Sequence, residues 1–415
     1  MDGISRVFKR RFFPAATTRD WRDWRWQLKH RLRDREGLAA VFELTADEEA
    51  ALARLGDRLP VGLSPYYASR VASGGPLRAT VIPATAEFVH APGEYTDPLG
   101  EDAHHPVPGL IHTYPDKVLF LVTDFCATYC RYCMRSRLVG QGTFLPDPRM
   151  WEEAFAYIQA HPEVRDVLLS GGDPLILADD RLDYLLRRLK AIPHVEFIRI
   201  GTKVPMVLPQ RITPALCRML KKYHPLFMSI HIIHPDELAP EAVAACERLA
   251  DAGIPLGGQM VLLRGVNDTP EVMRTLVHAQ LRARVKPYYL HQCDAIIGSM
   301  HFRTPVQTGV DLLRSLHGHT TGYAVPMYMI DAPGGGGKVP VSPDYRVGSI
   351  GEDLVLENYA GKKYRYRDPG LMGKQAVQTA GRASTNTPGG TAASPSIISS
   401  APTGPHPIAR GGATG

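Results

Sequence analysis

The chain has 415 residues and a formal net charge of +6, and it is 44% hydrophobic and 22% charged, a composition typical of a soluble globular protein. Much of the positive excess lies in the first 36 residues, so it does not indicate a nucleic-acid partner. No apolar run approaches the about 18 residues of a membrane span, and no apolar signal-peptide segment follows Lys9, Arg10 and Arg11. Six cysteines, three of them in one short stretch, favour a reducing cytoplasm over a disulfide framework.

The first 110 residues predict an N-terminal helical and extended region. Two tryptophans and two leucines recur at helical spacing over residues 18–35, which predicts a helix with a stripe facing the core. A second helical, polar-rich segment is predicted over residues 46–70. The prolines and glycines of residues 71–116 predict extended connecting chain.

From residue 117 onward, strand and helix patterns alternate. The predicted strands are 117–123, 166–170, 195–200, 226–232, 256–263 and 285–291. The helical patterns between them lie near 149–160, 180–191, 214–223, 238–252 and 270–283. This alternation predicts parallel pairing with right-handed crossovers. We therefore predict an α/β fold with a partial (βα)6 barrel over residues 111–330, its site formed by loops at the C-terminal ends of the strands.

The C-terminal part is predicted to divide into a segment at 331–368 and a tail at 369–415. The tail has no Phe, Trp, Tyr, Asp or Glu and is dominated by Gly, Ala, Ser, Thr and Pro. Such a composition cannot bury enough apolar area to offset the entropy of ordering the chain. We therefore predict that the tail is disordered.

Three cysteines, Cys126, Cys130 and Cys133, form a CxxxCxxC loop directly after the first barrel strand. Their thiolates could hold a metal cluster, but a tetrahedral zinc site would need a fourth ligand from elsewhere. A [4Fe–4S] cluster usually takes four cysteines, so three would leave one iron open. The amino and carboxylate groups of S-adenosylmethionine (SAM) could chelate that iron. The alternatives are a structural metal site or three core thiols, which such a tight triplet makes less favoured.

The second strand is followed by four small or polar residues, Ser170, Gly171, Gly172 and Asp173. Glycines there would let a ligand approach the backbone and leave amides free to bind it, which predicts a site for the SAM amino group; an ordinary tight turn is the alternative. His231 and Gln259 each lie near the C-terminal end of a predicted strand. Both could reach a cofactor, or both could be satisfied polar residues of the core.

A glycine run precedes Lys338. It is not a phosphate loop, because Val339 follows the lysine and the GxxxxGK spacing is absent. A lysine on a flexible glycine loop suits a Schiff base, and pyridoxal phosphate (PLP) is the usual partner of such a lysine. A surface turn is the alternative.

Two carboxylates and one arginine complete the candidate site. Asp294 follows the last predicted strand and Asp331 precedes the glycine run, so together they could pin a cationic group, although each alone is better explained as a helix cap or a solvated acid. Arg135, two residues after Cys133, could clamp a carboxylate through two hydrogen bonds.

With these motifs in place, residues 20 to 365 resemble the lysine 2,3-aminomutase family of radical SAM enzymes. The resemblance rests on Asp20–Gln27, Pro106–Leu110, the cysteine loop, Ser170–Asp173, Leu262–Asp268, His301–Pro305 and Asp331–Lys338. The cysteine spacing alone points only to the superfamily. The lysine loop together with Gln292-Cys293-Asp294 is specific to aminomutases.

The resemblance implies an isomerase that moves the α-amino group of a basic L-amino acid from C2 to C3, first of all L-lysine to β-lysine. It implies that Cys126, Cys130 and Cys133 ligate the cluster and that Lys338 is the catalytic residue that holds PLP. Arg135 matches the carboxylate clamp of the family. Asp294 and Asp331 match the pair that binds the distal cation, which argues against glutamate as substrate.

The remaining cofactor-binding candidates are Tyr114, Lys117, Ser170, Gly171, Gly172, Asp173, His231 and Gln259. The resemblance also implies a reductant protein such as a flavodoxin or ferredoxin, a homo-oligomer, and no nucleic-acid or membrane partner. Products of such enzymes commonly enter peptide-type secondary metabolites, including antibiotics.

The chain departs from the family pattern at several positions near the site. Thr113 and Lys117 stand where many members have arginines near the PLP phosphate, so this part of the family's phosphate clamp is not matched. Tyr132 replaces a histidine, His291 replaces an aromatic residue, and Ala295 replaces a leucine beside Asp294. Some members also have a structural zinc site, but this chain has Thr269 at the first ligand position and no cysteine after Cys293. We therefore predict no structural zinc.

Three other functions remain open from the sequence. The close one is an arginine 2,3-aminomutase, because the same acids could grip a guanidinium and Ala295 leaves room for a longer side chain. A non-catalytic protein that binds an Fe–S cluster or SAM without PLP, and a zinc scaffold, are more distant.

Overall fold

The structure is a computed structural model that describes residues 1–56, 58–142 and 146–371. Contacts divide the chain into two units. The larger contains Met1–Tyr345 and Asn358–Lys362, and the smaller contains Arg346–Glu357 and the chain from Lys363 onward. Of the tail predicted to be disordered at 369–415, residues 372–415 lie outside the described residues.

Short helices make up the N-terminal part of the larger unit. They are α1 Gly3–Phe12, α2 Thr18–Arg22, α3 Trp24–Lys29, α4 Arg35–Ala39, α5 Ala46–Ala53 and α6 Pro65–Val71. The single helix predicted over 18–35 is wrong, because the backbone at Asp23 is extended and its carboxylate caps α3 by accepting from the amide of Arg25. Side chains of this kind compete with helix continuation and favour caps. The predicted burial is nevertheless confirmed at Trp21 and Trp24.

The segments that follow also differ from the prediction. The helix predicted over 46–70 is interrupted between α5 and α6, where Pro65 begins the second helix as a proline at the first helical position can. Residues 71–116, predicted to be extended, contain short 3-10 turns at Arg78–Thr80, Thr85–Phe88 and Glu101–His104.

A nine-stranded sheet follows, with its strands in chain order. They are β1 Leu110–Tyr114, β2 Lys117–Thr123, β3 Asp166–Gly171, β4 Phe197–Thr202, β5 Leu226–His231, β6 Leu256–Leu262, β7 Lys286–Gln292, β8 Met327–Ala332 and β9 Gly337–Pro340. Strands β2 to β8 pair in parallel, whereas β1 and β9 are antiparallel to their neighbours.

Helices cross between the parallel strands. They are α7 Pro148–Ala160, α8 Asp179–Lys190, α9 Val204–Val207, α10 Pro214–Leu220, α11 Pro240–Asp251, α12 Pro270–Arg282 and α13 Val306–Leu316. Each strand from β2 to β7 is followed by a helix, which confirms the partial (βα)6 barrel. β8 adds a further parallel strand that was not predicted. In the described part of the chain, no helix has the length and apolar composition needed to cross a membrane.

The core lies between these helices and the outer face of the sheet. In α8, four leucines at helical spacing, Leu182, Leu185, Leu186 and Leu189, are fully buried. Burial of this kind provides most of a helix's stability, because propensity alone is weak. On β2, Phe120 packs edge-to-face against Phe155 of α7, with ring centroids 5.7 Å apart.

The smaller unit contains a three-stranded antiparallel sheet. Its strands are β10 Arg346–Ile350, β11 Asp353–Glu357 and β12 Lys363–Arg367. Asp353 forms ion pairs with Arg365 and Arg367 across the sheet, at a position where opposite charges on neighbouring strands are stabilising.

The end of β3 packs directly against the end of β2. The amide of Gly172 donates to the carbonyl of Thr123 at 2.5 Å, and the amide of Asp173 donates to the carbonyl of Phe125 at 2.9 Å. A Cβ at Gly171 would lie 2.2 Å from the oxygen of Thr123, and one at Gly172 would lie 2.4 Å from that of Phe125. The expectation that the amides of Gly172 and Asp173 are free is therefore wrong, since they bind the chain that leads into the cysteine loop.

The cysteine loop has no helix or strand of its own, and the N-terminal region holds it. The amide of Tyr129 donates to Gly62 and that of Arg131 donates to Thr80, both at 2.9 Å. The guanidinium of Arg131 forms a buried ion pair with Glu87, with a shortest distance of 2.6 Å, and also donates to the carbonyls of Leu59 and Pro60. These bonds fix the loop without regular secondary structure.

We expect Glu87→Gln to lower the free energy of unfolding by about 3 kcal/mol, because it leaves the buried Arg131 charge uncompensated. The measurement is chemical denaturation of the purified protein. Glu49→Gln is the matched control, because Glu49 pairs with Arg35 at the surface and should change little. Equal effects of the two substitutions would show that the Arg131–Glu87 pair has no special role.

We expect Gly172→Ala to destabilise the protein by about 2 kcal/mol or more, because the new methyl group must displace the backbone of Phe125. It should also reduce the iron retained after reconstitution, since Phe125 precedes Cys126. The control is Gly322→Ala, where an added Cβ meets no atom within 4 Å. Full iron content and unchanged stability in Gly172→Ala would contradict the packing described above.

Candidate active site

The three cysteines of the CxxxCxxC loop lie at the C-terminal end of β2, where the sequence predicted them. All three are free thiols. Burial raises their pKa values, for Cys133 to about 11. The charge of Asp173 adds to the rise at Cys126, and the charge of Cys130 adds to it at Cys133. The thiols are therefore neutral until a cation replaces their protons, and binding of iron would release those protons.

Across residues 1–56, 58–142 and 146–371, no three His, Cys, Asp or Glu side chains converge on a point that would suit a single metal ion. A [4Fe–4S] cluster distributes its cysteine ligands over different irons, so it does not require such convergence. The donor set of three neighbouring thiols fits a cluster.

An apolar wall and one arginine surround the cysteine loop. Leu59, Tyr129 and Val139 form a buried cluster against which Cys126 and Cys133 pack. The guanidinium of Arg31 lies 4.0 Å from the centroid of the Phe125 ring, and it donates a hydrogen bond to the carbonyl of Cys126. A shell of this kind controls solvent access to a metal site. Arg31 was not predicted, because nothing in its sequence context distinguishes it from the other N-terminal arginines.

Tyr132 connects the cysteine loop to the barrel. Its hydroxyl lies 2.7 Å from Nε2 of His231 at the end of β5. Burial raises the pKa of Cys130, and a hydrogen bond from Tyr132 opposes that rise. His231 pairs in register with Gln259 on β6, so these two predicted cofactor contacts lie beside the loop.

Asp173 is buried and its carboxylate is fully engaged within the protein. It accepts hydrogen bonds from the hydroxyl of Thr202 and from the amides of Leu175, Lys203 and Val204, at 2.7 to 3.1 Å. Its observed contacts therefore join the ends of β3 and β4. Contacts of Ser170, Gly171, Gly172 and Asp173 with SAM remain predictions.

Lys338 lies on β9 and lines a cavity of about 500 Å³. The amide of Lys338 donates to the hydroxyl of Tyr114 at 2.8 Å, and its ammonium donates to Oδ1 of Asp331 at 2.6 Å. Arg135 also lines this cavity, so the cavity reaches the chain just after Cys133. The structure therefore brings Lys338, Asp331, Arg135 and Tyr114 from separate parts of the sequence to one cavity.

Asp331 and Asp294 differ strongly in their affinity for a proton. Burial, followed by the charge of Asp331, raises the pKa of Asp294 to about 7. Burial would also raise the pKa of Asp331, but a hydrogen bond from His291 and the charge of Lys338 lower it to about 2. Near neutral pH, Asp331 is therefore ionised and Asp294 is only partly ionised. A cation bound between them would favour the charged form of both carboxylates.

His291 has a defined role beside this pair. Its Nδ1 lies 3.2 Å from Oδ2 of Asp331, and burial lowers the pKa of its imidazole. An ionised carboxylate can only accept, so Nδ1 of the neutral ring carries the proton. Both oxygens of Asp331 are therefore occupied, one by His291 and the other by Lys338.

Arg135 already has an internal partner that the sequence did not suggest. Its Nε and Nη2 donate to the two carboxylate oxygens of Glu101, at 3.1 and 2.6 Å. Glu101 lies in a 3-10 turn within the segment predicted to be extended chain. In the sequence, Glu101 is only an acidic residue near several prolines, and such a context does not predict a role in a site.

Two more cations, Lys117 and Arg199, also line the cavity. Lys117 contacts Asp116 at 3.1 Å, and Arg199 contacts Asp166 at 2.8 Å. Together with the aromatic rings of Tyr288 and Tyr289 in the wall and the Lys338 amine, these residues fit a planar cofactor with a phosphate group. Arg199 was not predicted, although a charged residue inside an otherwise apolar strand was a visible signal.

Comparisons with known proteins identify the family of the chain. The family model described as Lysine-2,3-aminomutase matches residues 313–388, and that of the Radical SAM superfamily matches residues 120–276. An L-lysine 2,3-aminomutase from Fusobacterium nucleatum is 48% identical over 365 residues, covering 87% of this chain and 86% of the relative. One from Acetoanaerobium sticklandii is 48% identical over 364 residues, with coverages of 87% and 88%.

A glutamate 2,3-aminomutase from Clostridioides difficile is 40% identical over 356 residues, covering 85% of this chain and 84% of the relative. High similarity over most of both chains is thus found to enzymes named for two different amino acids. The chain belongs to the lysine 2,3-aminomutase family of radical SAM enzymes.

Proposed function

We propose that this protein is an isomerase that converts L-lysine to β-lysine by moving the α-amino group from C2 to C3. The observation that carries the proposal is the contact between the Lys338 ammonium and Asp331, at 2.6 Å. In this contact the carboxylate pairs with the primary ammonium group of a lysine side chain, which is the same group as the one at the end of the proposed substrate. The relatives named for L-lysine support the same substrate.

The cofactors of the family are a [4Fe–4S] cluster, SAM and PLP, and the residues present fit all three. Cys126, Cys130 and Cys133 would hold the cluster, with His231 and Gln259 beside them. Lys338 would hold PLP. Bound together, these cofactors supply a radical that removes a hydrogen from the substrate and a carbonyl that keeps the migrating nitrogen attached.

The protein's own residues bind and orient the amino acid. Arg135 binds its α-carboxylate, since a guanidinium matches a carboxylate through two parallel hydrogen bonds. Once Lys338 has turned to the cofactor, Asp331 is free to accept the distal ammonium of the substrate, and Asp294 adds a second acid. The distal carboxylate of glutamate would instead meet two acids and be repelled.

The geometry at Asp331 favours lysine over arginine. A guanidinium pairs best with both oxygens of one carboxylate, but His291 occupies Oδ2 of Asp331. An ammonium needs only the remaining oxygen. Ala295 still gives arginine more room than a leucine would, so the two substrates must be compared directly.

The test is incubation of the reduced, reconstituted enzyme with L-lysine and L-arginine separately and in competition, followed by mass spectrometry of the products. We expect β-lysine to form, with arginine a poor substrate. Formation of β-arginine alone would overturn the choice of substrate. Absence of any product from enzyme loaded with cluster and PLP would favour the non-catalytic alternative.

Two variants separate the cofactor assignments in this assay. Cys130→Ala should lose iron and SAM cleavage, because a cluster ligand is missing. Lys338→Ala should retain iron but form no β-lysine. Turnover by Lys338→Ala would refute the role of this lysine.

The pH dependence of kcat/KM tests Asp294, because this ratio reports ionisations of the free enzyme. A carboxyl group with a pKa near 7 is protonated below that pH and charged above it, so kcat/KM for lysine should fall as the pH drops below about 7. In Asp294→Asn the residual activity should lack this inflection. An inflection that persists in the variant would belong to another group.

Other parts of the proposal come from the family resemblance. The cluster would need a reductant, which we expect to be a flavodoxin or ferredoxin. We also expect a cytoplasmic homo-oligomer that forms without structural zinc.

A further inference from the structure

The guanidinium of Arg135 has a carboxylate partner on one of its two hydrogen-bonding edges. Glu101 takes the edge formed by Nε and Nη2, at 3.1 and 2.6 Å. Among the described residues, none bonds the third nitrogen, Nη1. The side chains of Arg135 and Glu101 are only 15% and 6% exposed, so this ion pair is shielded from water on most sides while both residues line the cavity.

A guanidinium has two edges that can each bind a carboxylate through two hydrogen bonds. Because Glu101 occupies the side edge, the end edge formed by Nη1 and Nη2 is left for a second carboxylate. An arginine without such a partner would sample several rotamers, and ordering it would reduce the affinity for the ligand. A fixed partner removes this cost before the ligand arrives.

Glu101 is itself held in place. Its second oxygen lies 3.7 Å from Nη2 of Arg137. At Gly100, just before its turn, an added Cβ would lie 3.1 Å from Cα of Gly334, and the amide of Gly334 donates to the carbonyl of Pro98 at 3.4 Å. The turn that carries Glu101 therefore packs on the glycine loop that leads to Lys338.

We propose that Glu101 is a positioning residue that orients Arg135 so that its end edge meets the α-carboxylate of the amino acid. This inference rests on the proposed function, because it takes Arg135 as the carboxylate clamp. The opposite role is that Glu101 competes with the substrate for Arg135. The two roles predict changes in affinity of opposite sign when the charge of Glu101 is removed.

The experiment uses enzyme loaded with cluster and PLP but not reduced, so that binding is measured without turnover. The ligands are L-lysine and 1,5-diaminopentane, which lacks the α-carboxylate, and binding is followed by the change in cofactor absorbance. For Glu101→Gln we expect the Kd of L-lysine to rise about tenfold, because misplacing the Arg135 guanidinium by a fraction of an ångström is costly. The Kd of 1,5-diaminopentane, which has no carboxylate for Arg135, should stay the same. Under turnover, KM should rise about as much and kcat should change little.

Two further variants make the result specific. Glu101→Asp keeps the charge but shortens the side chain, so it should weaken lysine binding less than Glu101→Gln does. It also replaces Glu101→Gln in the test if that variant fails to fold. Asp102→Asn is the matched control, because this neighbouring carboxylate contacts Arg137 at 2.9 Å and should leave the Kd unchanged.

A lower Kd for lysine in Glu101→Gln would show competition and overturn the proposal. An unchanged Kd, or equal weakening of both ligands, would also overturn it, the latter by indicating a general structural role. Failure of the proposed function would be distinct, since wild-type enzyme would then form no β-lysine whatever Glu101 does to binding.

Discussion

The cysteine loop depends on the buried ion pair between Arg131 and Glu87. The loop lies between β2 and β3 and has no ladder of backbone hydrogen bonds of its own. Arg131 lies between Cys130 and Cys133, so the position of its guanidinium determines where both thiols are placed. A charge buried this deeply is tolerated only with a partner and with its remaining N–H groups satisfied, and here Glu87, Leu59 and Pro60 provide both. The N-terminal region therefore fixes the loop whose three thiols would hold the cluster.

The same kind of constraint applies at the next strand. A side chain at Gly171 would meet the backbone of Thr123 at the end of β2, and one at Gly172 would meet the backbone of Phe125 just after it. Glycines at the end of a parallel strand are usually associated with ligand binding, but in this structure they bring two strand ends close enough to exchange backbone hydrogen bonds. That close approach places the SGGD segment beside the cysteine loop, which is the arrangement that a cofactor shared by both segments would need.

Much of the barrel could be predicted from the sequence, because local patterns determine it. The strand starting at Lys117 is an apolar run with clear ends, and the leucines of α8 repeat at helical spacing. The helix predicted over 18–35 failed for an equally local reason, since Asp23 caps a new helix. A capping box formed by Thr17 and Asp20 was an available signal.

The candidate site was predictable where rare residue types cluster, and not where pairing is long-range. Three cysteines in eight residues, or a lysine after a glycine run, are recognisable without a structure. The partnership of Arg135 with Glu101 joins residues that are 34 positions apart, and neither neighbourhood suggests the other. Likewise, sequence could not decide whether the amides of the SGGD segment serve a ligand or the neighbouring strand, because glycine is required in both cases.

A common feature of the cavity is that its cations have internal carboxylate partners. Lys338 pairs with Asp331, Arg135 with Glu101, Arg199 with Asp166 and Lys117 with Asp116. These pairs balance the charges of the cavity before any ligand binds, and this matters most for the Arg135–Glu101 pair, whose side chains are the least exposed. They differ in what binding requires of them. In the proposed function the Lys338 pair would separate, because Lys338 would hold the cofactor and Asp331 would accept the ammonium of the substrate, so one contact of similar strength would replace another. The Arg135 pair can remain, because the guanidinium has a second edge. When a basic amino acid binds, its ammonium would thus replace that of Lys338 at Asp331, and its α-carboxylate would form a new contact with Arg135. The carboxylate end would therefore contribute most of the net gain in binding free energy.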